Sequence, residues 1–332
     1  MMRAVAYRRN LPVDDPDSLI DVELAVPKPE PHDLLVRVNA VSVNPIDIKQ
    51  RSSSDPGGTL RVLGFDAAGV VTATGADVTL FEVGDEVFYA GSIARPGSNA
   101  EYQLVDERIT GHKPTTLNFA EAAALPLTSI TAWETLFDRF KVDADSQGTL
   151  VVMAGAGGVG SMLIQLARRL TELTVIATAS RAESQRWARD LGAHHVIDHH
   201  AGLAEKVLAV APDGVDHVFT PYSTGNIEAF AQMLRPQGQV TAIDSPPGLD
   251  LLALKAKSIA WHWESMFTRP LLLPADTTQH QALEQIRGLV EDGLIRTTMT
   301  TRLEPINAEN LRRAHAMIES GATIGKVVVD GF

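Results

Sequence analysis

Apolar and polar residues alternate with two different periods along this chain, and the change of period divides it. Up to about residue 110 the pattern is that of short strands. Leu34-Leu35-Val36-Arg37-Val38-Asn39-Ala40-Val41 and Ala68-Gly69-Val70-Val71-Thr72-Ala73 read as strands, and Gly84-Asp85-Glu86-Val87-Phe88-Tyr89 as a turn leading into a third. Gly and Pro punctuate the region at short intervals, as in a compact, partly closed antiparallel sheet. From about residue 119 the period lengthens. Phe119 to Leu125 and Ile130 to Phe137 are predicted helices flanking Pro126. Strand and helix then alternate: strand 149–153, helix 158–170, strand 173–178, helix 181–191, the short strand Val196-Ile197, a helix near 201–210, strand 215–219, helix 225–234 and strand 238–243. Repeated β-α units of this length imply a parallel sheet with helices on both faces. The tail is mixed, with a helix over 277–292, a strand from Thr297 to Leu303, a helix from Asn307 to Ser320 and a final strand Lys326-Val327-Val328-Val329. Asn307 suits an N-cap and Gly321 a helix end. This tail is expected to pack back on the first domain.

The chain has 332 residues, 45% apolar and 21% charged, enough for two domains with cores of their own. Its formal charge of −12 argues against nucleic acid or an anionic membrane as a partner. An anionic ligand therefore needs a locally basic site or one built from backbone N–H groups. There are no cysteines, which excludes disulfides, thiolate catalysis and multi-cysteine zinc sites. Met1-Met2-Arg3-Ala4-Val5-Ala6-Tyr7 alternates like a strand rather than a secretion signal, and no apolar stretch reaches the ~18 residues of a membrane helix. A cytoplasmic protein is the expectation.

The first strand of the alternating region runs into Ala154-Gly155-Ala156-Gly157-Gly158-Val159-Gly160-Ser161. Gly155, Gly157 and Gly160 fit G-x-G-x-x-G. A tight structural turn uses the same residues, but strand-turn-helix context selects a phosphate site. Glycines let the backbone approach a pyrophosphate, and the helix N-terminus, with Gly158 and Val159, presents unpaired N–H groups to it. The second strand decides which dinucleotide. NAD-specific sheets place an acid at its end to bond the ribose 2′-OH. Here Thr178-Ala179-Ser180-Arg181 offers a hydroxyl and a guanidinium instead. Arginine forks match phosphate oxygens, so NADPH is expected. Singly, Ser180 as a helix cap and Arg181 as a solvated side chain are open alternatives.

Several motifs in order resemble the zinc-free, quinone-oxidoreductase-like branch of the medium-chain dehydrogenase/reductase superfamily. They are Val43-Asn44-Pro45-Ile46-Asp47-Ile48-Lys49, Gly64-Phe65-Asp66-Ala67-Ala68-Gly69, Val83-Gly84-Asp85-Glu86-Val87, Thr131-Ala132-Trp133-Glu134 and the glycine turn. Leu191-Gly192-Ala193 with Val196-Ile197-Asp198, Leu234-Arg235-Pro236-Gln237-Gly238 and Gly325-Lys326-Val327-Val328 complete the set. Within the superfamily the chain is similar to a bacterial group labelled zinc-type alcohol dehydrogenase-like. The resemblance implies an α/β fold. A GroES-like, partly closed β-barrel catalytic domain occupies 1–125 and a Rossmann NADP-binding domain 126–270, with 271–332 completing the catalytic domain. It also implies a homodimer formed through an edge strand, here Ser258 to Phe267.

Zinc members of the superfamily hold the metal with Cys, His and Cys and a nearby acid. Here Asn44 and Phe65 stand at the first Cys and the His, Asp66 replaces the acid, and the second Cys falls near Leu127 or Thr128. Zinc finds no thiolate or imidazole there, so no metal is expected. His194-His195-Val196-Ile197-Asp198-His199-His200 is histidine-dense, an alternative metal site or a strand and turn at the edge of the cofactor domain, and His199 matches a family position near the adenosine phosphate.

Without a Lewis acid, hydride transfer suits acceptors that delocalise charge themselves, namely quinones and α,β-unsaturated carbonyls. The expected catalytic residues are Asn44, Asp47 and Lys49. Asn44 bonds the nicotinamide ribose or the substrate oxygen, Asp47 orients Lys49 or the ribose, and Lys49 stabilises an enolate oxygen or donates a proton. A loop Asn, a helix N-terminal acid and a solvated Lys are the alternatives. Phe65 and Tyr89 are expected in the substrate pocket. Thr131, Ile243, Met266, Phe267 and Lys326 join the glycine turn, Ser180, Arg181 and His199 as cofactor-binding candidates, although Met266 and Phe267 also suit a subunit contact and Lys326 a strand edge. An alcohol dehydrogenase and a catalytically inert NADPH-binding or redox-sensing protein are the competing readings.

Overall fold

In the computed structural model, which describes residues 1–332, the chain divides into two units. One comprises 1–130 and 266–332, the other 131–265. Residues 266–332 thus belong to the same unit as the N-terminal part.

The first unit is β-rich, as its two-residue alternation predicts. Its larger sheet has Met299–Leu303, Lys326–Asp330, Asp33–Val43, Asp66–Thr74, Glu86–Tyr89 and Thr110–His112 side by side, with Tyr102–Asp106 also pairing to Asp33–Val43. A smaller sheet holds Ile20–Leu24, Met2–Tyr7 and Arg61–Val62. Inward positions of these strands, among them Val36, Val41, Val71, Val87, Tyr89 and Val327, fill one core together with Leu311 of the helix Ala308–Glu319. That helix starts as its sequence predicts: the Asn307 side chain accepts the Asn310 N–H at 2.8 Å, and Gly321 beyond its end has φ 67°.

The long strand Asp33–Val43 aligns two partner strands at one end. Ser42 pairs with Asp66 on one side and Val43 with Val327 on the other. Asn44, Asp66 and Lys326 are thereby brought together from positions far apart in sequence.

The second unit is a six-stranded sheet, parallel throughout. Its spatial order is His195–Ile197, Thr174–Thr178, Thr149–Val152, Val215–Thr220, Leu234–Ala242 and Ala260–Trp263. Counted along the chain this is 3-2-1-4-5-6, the doubly wound order whose crevice lies beyond the carboxyl end of the first strand. Val151, Ile176, Val218, Val240 and Phe230 form its core. Of the helices predicted around Pro126, the first is found at Phe119–Ala123, and the second begins earlier than expected. Pro126 opens a helix, Pro126–Trp133, because its missing N–H costs nothing at the first turn; a π-helical stretch, Glu134–Arg139, follows. No helix is long and apolar enough to cross a membrane.

Candidate active site

In the first unit the polar centre begins where strand gives way to helix. Asn44 is extended (φ −125°, ψ 158°), and Pro45 follows it into the helix Pro45–Ser53. The Asn44 N–H donates to Asp47 Oδ2 at 2.8 Å, and the Gly64 N–H donates to Asp47 Oδ1 at 3.0 Å. Asp47 is therefore a buried tie between the helix start and the loop before Asp66. Burial, only partly offset by these bonds, pushes its carboxyl up to about 7. Asp47 does not reach toward Lys49, which corrects the expectation that it orients that residue.

The side chain of Asn44 is also committed. Its amide donates to Asp66 Oδ2 at 2.8 Å and to the Ser42 carbonyl at 3.3 Å, and its oxygen accepts from Lys326 Nζ at 2.5 Å. Lys326 Nζ further donates to the Val43 carbonyl at 3.0 Å and to Asp66 Oδ2 at 3.1 Å. Asp66 Oδ1 accepts the Leu127 N–H at 2.7 Å. An ammonium has three protons, and all three find oxygens here. Lys326 is 3% exposed and Asp66 fully buried. Burial raises the Asp66 carboxyl, and Lys326 and Asn44 oppose that rise. Two expectations change: Lys326 is neither a strand-edge charge nor a donor left for a cofactor, and the Asn44 amide protons are already spent inside the unit.

These residues do not fit a tetrahedral zinc. Phe65 offers no lone pair, both Asp66 oxygens and the Asn44 oxygen already accept hydrogen bonds, and an ammonium sits among them. No group of three or more His, Asp or Glu side chains anywhere in the chain is arranged to hold a metal. The 194–200 stretch shows why: His199 stacks on His200 at 4.5 Å, His200 bonds Asp198, and His194 Nδ1 accepts the Val175 N–H.

Lys49 is exposed on the helix Pro45–Ser53, and its ammonium has no partner. Phe65 and Phe267, both buried, meet edge to face at 5.1 Å, and the Met266 carbonyl accepts from Gln279. Tyr89 is a correction. Its side chain is fully buried within the barrel core with no hydrogen-bond partner for its hydroxyl, so it does not line a pocket.

In the second unit the glycine turn caps the first strand. The Gly155 N–H donates to the Thr178 carbonyl at 2.9 Å, and the helix Gly158–Leu170 starts after Gly157. A Cβ on Gly155 would lie 2.7 Å from Ala177 Cβ, and one on Gly160 would lie 2.4 Å from the Ala154 carbonyl, so neither position tolerates a side chain. Gly158 and Val159 are half-buried in the first helical turn, where N–H groups lack intrahelical partners. Ile243 follows the fifth strand, its N–H bonded to the Thr220 carbonyl. Thr131 is buried on the helix Pro126–Trp133.

Beyond the second strand the helix Ala182–Asp190 begins without help from Ser180. Ser184 Oγ accepts the Arg181 N–H at 3.2 Å and donates to the Arg181 carbonyl at 2.9 Å. The capping alternative for Ser180 falls away. Ser180 is half-buried, and Arg181 and His199 are exposed.

Sequence reasoning missed the part played by Asp66 and the ion pair of Arg139 with Glu264 (Nε–Oε2 2.9 Å) beside Glu134. Asp66 carries a signal only once strand register is known. Glu264 follows directly after the edge strand, and nothing in its neighbourhood in sequence marks it.

Two domains match family models, residues 30–128 the alcohol dehydrogenase GroES-like domain and residues 191–329 the zinc-binding dehydrogenase. A zinc-type alcohol dehydrogenase-like protein of Staphylococcus aureus (strain MSSA476) is 41% identical over 336 residues, covering 99% of this chain and 100% of the relative. The crystal structure of a Rhizobium etli CFN 42 protein, provisionally described as a zinc-dependent alcohol dehydrogenase, superposes with a TM-score of 0.96 at 52% identity. It covers 100% of this chain and 98% of its own. A chloroplastic NADPH-dependent alkenal/one oxidoreductase of Arabidopsis thaliana is 28% identical over 93% of this chain and 75% of its own. The chain belongs to the medium-chain dehydrogenase/reductase superfamily, an oxidoreductase family, in the branch that includes the quinone oxidoreductases.

Proposed function

We propose that this protein is an NADPH-dependent reductase that passes hydride to a quinone or an α,β-unsaturated carbonyl without a catalytic metal. The observation that carries the reading is the buried Lys326 ammonium, bonded to the Val43 carbonyl, Asn44 Oδ1 and Asp66 Oδ2, which sets a fixed positive charge among the oxygens a metal would need. The NADPH-dependent Arabidopsis relative supports the same chemistry. NADPH supplies the hydride when bound. The N–H groups of Gly158 and Val159 hold its pyrophosphate, and Ser180 and Arg181 favour the 2′-phosphate. Thr131, Ile243, Met266, Phe267 and His199 complete its binding set. Asn44, fixed by Asp66 and Lys326, is a rigid part of the reaction centre, and the Lys49 ammonium stabilises the oxygen on which charge develops. Phe65 contributes apolar surface to the acceptor site.

The test is a screen of NADPH oxidation across quinones, enals, aldehydes and alcohols, with metal measured in the same preparation. Turnover of quinones or enones by metal-free protein, unchanged by a chelator, is expected. Activity that tracks bound metal, or turnover of alcohols alone, overturns the reading. NADPH should bind about tenfold tighter than NADH, and Arg181→Ala should narrow the gap.

We also propose a homodimer through the edge strand Ala260–Trp263. Trp263 is 51% exposed and packs edge-on against Trp261 at 5.5 Å, an apolar surface on a strand with one free edge. Light scattering should report a dimer for the wild type and a monomer for Trp263→Arg.

A further inference from the structure

The glycine turn contains an alanine in a conformation that favours glycine. Ala154 has φ 52°, in the left-handed region where an L side chain is crowded. Thr178 holds it there. This residue ends the second strand of the parallel sheet and is 1% exposed. Its Oγ1 accepts the Ala154 N–H at 3.0 Å, and its carbonyl accepts the next N–H, that of Gly155, at 2.9 Å. One residue thus takes two successive donors as the chain leaves the first strand. The geometry then propagates: the Ala154 carbonyl accepts the Gly157 N–H at 2.9 Å and lies directly against Gly160. The setting of Ala154 fixes where the helix presents Gly158 and Val159.

We propose that Thr178 is a positioning residue of the dinucleotide turn. Its hydroxyl keeps Ala154 in the left-handed step and so aims the helix N–H groups at the pyrophosphate. The inference rests on the reading of the turn as a dinucleotide site. A β-branched residue suits a buried strand end in any case, and valine would serve as well for that purpose alone. Only the hydroxyl oxygen distinguishes the two roles.

Thr178→Val keeps the shape and removes the acceptor, leaving the Ala154 N–H unpaired. The NADPH dissociation constant, read by fluorescence titration, should rise about tenfold, while Thr178→Ser should bind like wild type. Adding Ala154→Gly to Thr178→Val should restore affinity, because glycine adopts positive φ without support. Amide hydrogen exchange over 153–160, measured without ligand, should quicken in Thr178→Val and stay at the wild-type rate in Thr178→Ser. Unchanged exchange in Thr178→Val overturns the proposal, as does a loss of affinity that Ala154→Gly fails to repair. Wild-type protein that binds no dinucleotide overturns the reading of the turn instead, and exchange still decides whether Thr178 sets its geometry.

Discussion

Replacing Lys326 by Met removes the one cation facing Asp66 and leaves both strands in place. A buried carboxylate stripped of its partner costs about 3–5 kcal/mol, so Lys326→Met should lower the urea midpoint sharply. Lys49→Met should change stability by less than about 0.5 kcal/mol, since Lys49 is exposed and unpaired. It should slow quinone or enone reduction all the same. A Lys49→Met enzyme with wild-type turnover removes Lys49 from the mechanism. The two lysines also mark what the sequence discloses. The glycines at 155, 157 and 160 announce their turn because a local motif needs only local neighbours. Lys326 looks like a strand-edge charge, and Tyr89 like a cleft aromatic, until register places both inside. Side-chain destination depends on which strands pair, and one chain read alone does not state that.

Two pairs of elements are joined by buried titratable groups. Arg51, 2% exposed, links the helix Pro45–Ser53 to the helix Ala308–Glu319. Its Nε donates to His315 Nδ1 at 3.3 Å, and it pairs with Glu319. Burial first, and the neighbouring guanidinium second, push the His315 imidazole from 6.5 down to about 3. Between these values the unfolded chain binds a proton that the native state refuses. Stability is therefore complete above the unfolded pKa and falls with pH below it, by about 1.4 kcal/mol per pH unit for one proton. His315→Gln offers Arg51 an acceptor without titrating, so its melting temperature should fall less between pH 6.5 and 4. In the other unit, Glu264 lies beside Glu134 and pairs with Arg139. Burial, then Glu134, raises the Glu264 carboxyl well above the carboxylate range. The native state here holds a proton that the unfolded chain loses as pH rises above the ordinary value, so this group weakens the fold toward alkaline pH. Glu264→Gln should melt higher than wild type at pH 8, with the gain shrinking toward pH 4.5. The elements themselves were largely legible, because 3.6-residue and two-residue periods are local properties. The region around Pro126 was not, since a proline that breaks a helix interior also starts one.

At the scale of the molecule, the unit 131–265 is inserted into the other, whose two parts are 1–130 and 266–332. That the second unit is a parallel sheet followed from β-α alternation; the order of its strands did not. The return of the tail to the first unit, and the polar centre it completes, required contacts across 260 residues of sequence. That distance also has a meaning in time. Asp66 leaves the ribosome long before Lys326 is made: at roughly 5–20 residues per second the interval is on the order of half a minute. By the end of it the barrel still has its acid and no base to answer it, while the inserted sheet, whose last strand ends at Trp263, has all its strands. The two units therefore mature in the reverse of the order in which they begin. A nascent chain stalled before Lys326 should hold a folded cofactor sheet beside a protease-sensitive barrel, a pattern that limited proteolysis would reveal.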